Sequence, residues 1–355
     1  MSTIKLIDPI TDPRWDKFVE SHPFGLVCHL SGWKRILEQS FNHMKGYYFV
    51  LFDENDKIKA GLPIYEVKSW LTGKRLVSIP FATLCDPLIS TSEEMTVLLK
   101  AVMEFSRDRN ISYLEIRTLF SPSLVKKNGR LYKTSDYRHH YLPLDATPDL
   151  LMQSFHRTCV RKNIRKASKA SLKIKVAVDM SDVDNFYRLY SKTRKHLALP
   201  PHPYRFIQTI WNEFSVDKRV IVLLAEKEGQ PIASMLLYKF RDRVSAEYLG
   251  WDRMFADVRP SSYIYWEAIK LAHSEGYKIF DFGRTSKLNK SLMDFKIRWG
   301  TKVIELPQFF YPEKVAEEMS EHEKTISYRI MRKICSSVPE AAFQAVGKMC
   351  YRHLG

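Results

Sequence analysis

A run of aromatic and β-branched residues at 47–52 predicts a strand, the polar segment 53–56 a turn, and residues 57–67 the returning strand of a hairpin. The same shape recurs at 220–225, at the turn 226–230 with Gly229, and at 231–240, so that Ile58 corresponds to Ile232. Residues 75–80 then predict a third strand and 81–91 a loop. Ser92-Glu93-Glu94 opens a helix whose apolar Val97, Leu98, Ala101, Val102 and Phe105 follow helical spacing. Residues 112–116 predict a strand that ends in Arg117-Thr118. The second half repeats this order. Residues 243–250 read as a strand and 251–260 as a loop. A helix follows with Ile264, Ala268, Ile269, Leu271 and Ala272 inward and Gly276 as its stop, and 278–282 is a strand ending in Gly283-Arg284-Thr285.

The order strand, hairpin partner, strand, loop, helix, strand, Arg-Thr therefore occurs twice, about 170 residues apart, which predicts two tandem copies of one α/β unit. A turn-rich stretch at 144–148 marks the boundary. The expected domains are 1–145, 146–312 and a helical tail, 313–355, interrupted by Pro339. A chain of 355 residues suits two cores better than one.

Composition adds one strong feature. Lys and Arg number 56 against 40 Asp and Glu, a net charge of +16, which favours anionic partners: nucleic acid, phosphorylated small molecules or acidic lipid head groups. The five cysteines are scattered without a CxxC pair, so neither a zinc site nor a disulfide framework is expected, and the metal expectation is none. Residues 1–13 lack the apolar core of a signal peptide, and no apolar run of about 18 residues occurs. The expected location is cytoplasmic.

Several clusters carry candidate chemistry. Asp281 lies between Phe280 and Phe282 on a strand, facing the opposite side, and a buried acid there needs a partner, for which Arg284, Lys296 and Arg298 are candidates. Such a pair is either structural or part of an anion or acyl site, where Gly283 permits close backbone approach. Ser261 and Ser262, after Arg259-Pro260, are placed to cap a helix whose first amides attract a phosphate or a developing oxyanion. Arg157, Arg161 and Arg165 form one stripe with Lys162, Lys166 and Lys169 nearby, which reads as a solvated face or as an anion site. Around the Pro200-Pro201 turn, Arg194, His196 and His202 line either a plain loop or a cleft with a general base. Trp33 and Lys34, after His29, are a similar cleft candidate in the first unit. In the tail, Lys324, Arg329, Arg332, Lys333, Lys348 and Arg352 alternate with Ile326, Ile330, Ile334 and Phe343. That pattern suits packing on the second domain or an anionic membrane surface.

The chain resembles the FemAB family of aminoacyl and acyl transferases. The resemblance rests on residues 15–18 and 29–33, Ser78-Ile79-Pro80-Phe81, residues 161–170, Pro200-Pro201-His202, Arg259-Pro260, Phe280-Asp281-Phe282-Gly283-Arg284, and Phe295-Lys296 with Trp299-Gly300. It is nearest the subgroup associated with exopolysaccharide and protein-sorting systems. The resemblance implies an α/β (α+β) fold of two tandem GNAT-like domains, each a mixed central sheet flanked by helices, plus the C-terminal helical tail. It implies transfer of an acyl or aminoacyl group to an amine of a cell-envelope precursor by direct attack. Acyl-CoA or aminoacyl-tRNA would be the co-substrate, with no permanently bound cofactor. Expected partners are an anionic or lipid-linked precursor, tRNA, and an anionic membrane met peripherally through the tail. Two departures stand out. There is no room in 145–312 for the coiled-coil insertion of the bridge-forming enzymes, and Arg259-Pro260-Ser261-Ser262 replaces a glycine-rich pyrophosphate loop.

The site expected from these readings has Asp281 and His202 as catalytic groups. Arg259, Ser261, Ser262, Gly283, Arg284 and Lys296 bind the donor, and Trp33, Lys34, Arg161, Arg165 and Arg194 bind the acceptor. The strand end at 115–118 lacks the glycine of its counterpart and the Phe-Lys-x-x-Trp-Gly that follows, so the donor is expected in the second copy. A different class of function, a non-catalytic module for an anionic polymer or lipid, fits the charge alone. A nucleic-acid protein has no recognisable motif behind it.

Overall fold

The computed structural model describes residues 3–320 and 326–354. Lys324 of the expected basic tail, and the side chain of Ile326, lie outside the described residues. Twelve strands are present among them: β1 (Thr3–Ile7), β2 (Met44–Phe52), β3 (Ile58–Ser69), β4 (Gly73–Val77), β5 (Leu114–Arg117), β6 (Tyr132–Pro143), β7 (Lys173–Val176), β8 (Val220–Lys227), β9 (Gln230–Phe240), β10 (Arg243–Trp251), β11 (Ile279–Ser286) and β12 (Lys302–Tyr311). Both predicted hairpins form, as β2–β3 and β8–β9, each antiparallel.

Two compact units result. The first comprises Met1–Asp136, Glu305–Tyr328 and Met349–Gly355; the second comprises Tyr137–Ile304 and Arg329–Lys348. In the first, the strand order is β1-β2-β3-β4-β5-β12, and in the second it is β6-β11-β10-β9-β8-β7. Every pairing within the first unit's sheet is antiparallel except β4–β5, and every pairing within the second's except β10–β11. Two helices separate β1 from β2 and β7 from β8, and one long helix, Ser92–Ser106 or Pro260–Ser274, joins the two parallel strands. The fold is a mixed α/β sheet flanked by helices, built twice.

The division differs from the expected boundary at 145/146. It falls inside β6, at 136/137, because β6 pairs with β11 of the second unit, Leu142 opposite Phe280 and Tyr141 opposite Asp281. The strand that follows β11 in turn completes the first unit, with Phe309 opposite Ile116. The segment 313–355 is likewise divided between the units, rather than forming a separate tail.

Each core is a helix packed on the apolar face of its sheet. In the first unit Met95, Leu98, Leu99 and Val102 bury against Leu62, Ile64, Leu76 and Ile116. Val97, expected inward, is 43% exposed, because the buried stripe runs through Met95 and Leu99 instead. Thr91 and Glu94 form a capping box at that helix start. In the second unit Ile264, Ala268, Ile269 and Ala272 pack on Leu223, Met235, Val244, Phe280 and Phe282. At roughly 25 cal/mol per Å² of apolar area removed from water, two such layers supply most of the driving force for folding.

Candidate active site

The two units differ at the seam between their parallel strands. In the first, β4 and β5 pair at Leu76/Leu114 and Val77/Glu115. The next residue, Ser78, continues the seam: its amide donates to Glu115 O at 2.8 Å, and its hydroxyl accepts from Arg117 N at 3.0 Å. In the second unit, β10 and β11 pair from Arg243/Ile279 to Ser245/Asp281 and no further, although β10 continues to Trp251 and β11 to Ser286. A register irregularity lies between Ala246 and Tyr248 on β10 and another between Asp281 and Gly283 on β11. A bulge bends the strand that carries it, so the two strands part where their shared ladder ends.

The helix Pro260–Ser274 crosses from β10 to β11, so its N-terminus lies at the C-terminal end of β10, where parallel sheets bind ligands. Ser261 and Ser262 were expected to cap it. They lie inside the helix instead, with Pro260 at the first position and Arg259 at the N-cap, and no side chain caps the first turn. Arg259 is in the left-handed region, φ 56° and ψ 48°, an uncommon conformation for a side chain of its size. The uncapped first-turn amides are suited to an anionic group.

Asp281 is almost wholly buried, and its oxygens are engaged. Oδ2 accepts from Arg243 Nη1 at 2.6 Å and Oδ1 from the Gly283 amide at 2.7 Å. The second bond straddles the bulge, and Gly283, with φ 71°, supplies the turn that permits it. His139 of β6 places Nε2 at 3.4 Å from Asp281 Oδ2; burial pushes its imidazole toward the neutral form, against the pull of the carboxylate. Its neighbour His140, opposite Gly283, is held down to about 4 by burial and then by the Lys296 charge.

Lys296 is the centre of this cluster. Its helix, Lys290–Ile297, is anchored by Phe295 and Trp299, which meet Tyr265, itself stacked on Phe282 at 5.2 Å. Gly300, at φ 71°, lets the chain turn after that helix. The ammonium donates to Gly283 O at 3.1 Å and Arg284 O at 2.9 Å. Burial lowers its pKa to about 8, opposed by the charges of Asp281 and Glu247 and reinforced by Arg284. Two of its three N–H groups are used by the carbonyls, which leaves one for a ligand. Arg284 lies half-buried with its guanidinium 4.8 Å from the Tyr137 ring centroid.

Asp281, Gly283, Arg284 and Lys296 are thus brought together. His202 is buried elsewhere in the unit's aromatic layer, stacked on Phe206 and Tyr190. Its Nδ1 pairs with the Tyr190 hydroxyl at 2.7 Å, and burial holds the ring neutral. Arg194 donates twice to Pro200 O, at 3.0 and 2.8 Å, and so fixes the Pro-Pro turn. Arg161 is half-buried and Arg165 exposed on consecutive turns, and neither has a carboxylate partner among the described residues. Trp33 and Lys34 belong to the first unit, where both are buried and Lys34 pairs with Glu38 at 3.0 Å.

Sequence reading missed Arg243, Glu247, His139 and His140. The His139-His140 pair was visible, but nothing in its polar surroundings marked β6 as a strand. Glu247 is a half-buried acid on β10, whose other residues are apolar or small apart from Arg243 and Ser245. No cluster of three or more His, Cys, Asp or Glu able to hold a metal occurs among the described residues.

Residues 154–296 match the acetyltransferase (GNAT) domain family. The second unit carries a GNAT acetyltransferase domain. The chain is also homologous to a Fem-type aminoacyltransferase, the UDP-N-acetylmuramoylpentapeptide-lysine N(6)-alanyltransferase of Weissella viridescens. The two are 19% identical over 278 residues, covering 70% of this chain and 77% of that one. The crystal structure of FemX superposes with a TM-score of 0.72 at 15% identity, covering 90% of this chain and all of FemX. A tandem GNAT protein from the clavulanic acid biosynthesis pathway superposes at 0.55 and 9% identity, covering 87% of this chain and 98% of that one. The tandem GNAT architecture expected from the internal repeat is therefore the fold, and the chain is an acyl or aminoacyl transferase. No helix among the described residues is long and apolar enough to cross a membrane.

Proposed function

We propose that the chain transfers an aminoacyl or acyl group to an amine of a cell-wall precursor, with the donor held by the second unit. The observation that carries this reading is Lys296, a buried ammonium close enough to Asp281 and Glu247 for both charges to act on it, beside parallel strands that have parted. The acceptor amine attacks the donor carbonyl. The carbonyl oxygen takes the electron pair, and the third N–H of Lys296 stabilises that oxyanion. Collapse expels the ribose oxygen of an aminoacyl-tRNA, which takes up the proton released by the amine, or the thiolate of an acyl-CoA. The attacking amine gives up its proton, for which Glu247 is the carboxylate assigned. Asp281, with Arg243 and Gly283 on its oxygens, positions the bulge rather than accepting this proton, and His202 supports the aromatic layer.

Arg259, Ser261 and Ser262 offer the donor's anionic part an uncapped helix start. Arg161 and Arg165 are assigned to an anionic acceptor; Trp33 and Lys34, both buried in the first unit with Lys34 paired to Glu38, are not. Among anionic precursors, the alanyltransferase relative favours a muramoyl peptide. The tail supports peripheral contact with an anionic membrane: Ile330 and Ile334 are exposed on one helix with Arg329, Arg332 and Lys333. The test is incubation with labelled aminoacyl-tRNA or acyl-CoA and a muramoyl-peptide amine acceptor. Transfer from either donor supports the reading, and no transfer from both overturns it.

A further inference from the structure

The hairpin that joins β3 to β4 carries Trp70 and Leu71 at its tip, 87% and 63% exposed. Turn positions ordinarily go to small polar residues, and two adjacent large apolar side chains in water have no folding rationale. The tip is nonetheless held rigidly. Ser69 Oγ accepts from the amides of Leu71 at 3.1 Å and Thr72 at 3.0 Å. It also pairs with His353 Nδ1 at 2.9 Å, and Trp70 meets the His353 ring edge-on at 5.2 Å. Arg75 ties the base, donating to Thr72 Oγ1 at 2.8 Å and His353 O at 2.9 Å. Gly73, at φ 75°, supplies the turn.

Cations ring this tip. Lys68 and Lys74 are direct cross-strand partners, and like charges in that register destabilise a hairpin. Arg352 is exposed beside His353. Lys68 meets Glu66 at 3.3 Å but remains 62% exposed at its side chain, and a surface of negative charge would add to that balance at Lys68 and Lys74 while accepting an indole ring, which prefers the boundary between apolar and wet surroundings. A convex two-residue tip offers far less than the roughly 1,200 Å² that a stable protein interface buries.

We infer that the β3–β4 tip is a membrane-docking element: Trp70 and Leu71 enter the head-group layer of an anionic bilayer, and Lys68, Lys74 and Arg352 meet its lipid phosphates. Because bonds on both sides already fix the tip, ordering costs little on docking. This inference does not depend on the transfer reaction or on the tail.

The test is sedimentation of the full chain with vesicles of phosphatidylglycerol mixed with phosphatidylcholine, and with phosphatidylcholine alone. The chain is expected to bind the anionic vesicles and to bind the neutral ones weakly. Replacing Trp70 and Leu71 together by Ser should weaken binding about tenfold, and Lys74→Gln about fivefold, with the melting temperature lowered in neither. Trp70→Phe should keep binding but lose a blue shift of tryptophan emission on docking. The inference is overturned if the chain ignores anionic vesicles. It is also overturned if the Ser double variant binds like wild type while Arg332→Glu with Lys333→Glu abolishes binding. A Ser double variant that only converts a dimer to a monomer in sedimentation velocity would assign the tip to a second copy and overturn it as well.

Discussion

Lys296 Nζ donates to the carbonyl of Gly283, 3.1 Å away, directly after the bulge at which β11 leaves β10. The carbonyl holds the ammonium at the parted strands, and burial brings its pKa down to about 8. A reaction that needs this ammonium loses rate as pH rises through about 8. The prediction is a falling alkaline limb in the pH profile of kcat, displaced to higher pH in Lys296→Arg, whose guanidinium stays charged. Steady-state kinetics across that range check it.

The same shift sets a stability difference whose sign can be worked out. The folded pKa, about 8, lies below the ordinary lysine value of 10.5, so folding disfavours the charged form. Below pH 8 both states are protonated and the penalty is constant; between about 8 and 10.5 the folded state alone releases the proton and the penalty fades. Wild type should therefore gain stability relative to Lys296→Met as pH rises over this interval. Paired denaturant titrations at several pH values measure the difference.

Asp281→Asn removes the charge opposite Arg243, both side chains being buried. Loss of this buried charge pair is expected to destabilise the fold by a few kcal/mol, about 3 at most. Asp281→Asn with Arg243→Met should recover part of this, because the guanidinium that Asp281 balances is removed with it. Urea denaturation of the single and double variants reads the coupling.

Gly250 of β10 lies against the helix Met180–His196, where an added Cβ would meet Tyr190 N at 2.3 Å and the Leu189 carbonyl carbon at 2.5 Å. Both are backbone atoms and cannot swing aside. Gly250→Ala should cost about 1–3 kcal/mol by overpacking, and activity should fall because β10 carries Glu247. Melting temperature and kcat measured together test this.

Much of the fold was legible in the chain. The hairpins at Ile58 and Ile232 announced themselves through apolar runs and turn residues, and their repetition implied the duplication. The exchange of β6 and β12 was not legible. The segment 137–143 is held by ladder bonds to β11 with Leu142 as its main apolar anchor, and pairing across so long a sequence separation leaves no local pattern. At the site, Gly283 and the Phe-Lys-x-x-Trp-Gly segment were visible because a bulge and a helix stop need particular residues. Arg243 and Glu247 were not, since their roles depend on where two strands separate. The helix start was misread for a definable reason: Ser261 and Ser262 looked like caps, but Pro260 takes the first helical position and moves the N-cap to Arg259.

The central claim is that the Lys296 ammonium stabilises the oxyanion of a transfer carried out by the second unit. Single-turnover transfer by wild type and Lys296→Met, with donor binding measured in parallel, tests it most directly. The expected result is a rate about 10²–10³ lower in the variant, with donor affinity little changed and the fold intact. A variant that transfers at the wild-type rate would contradict it.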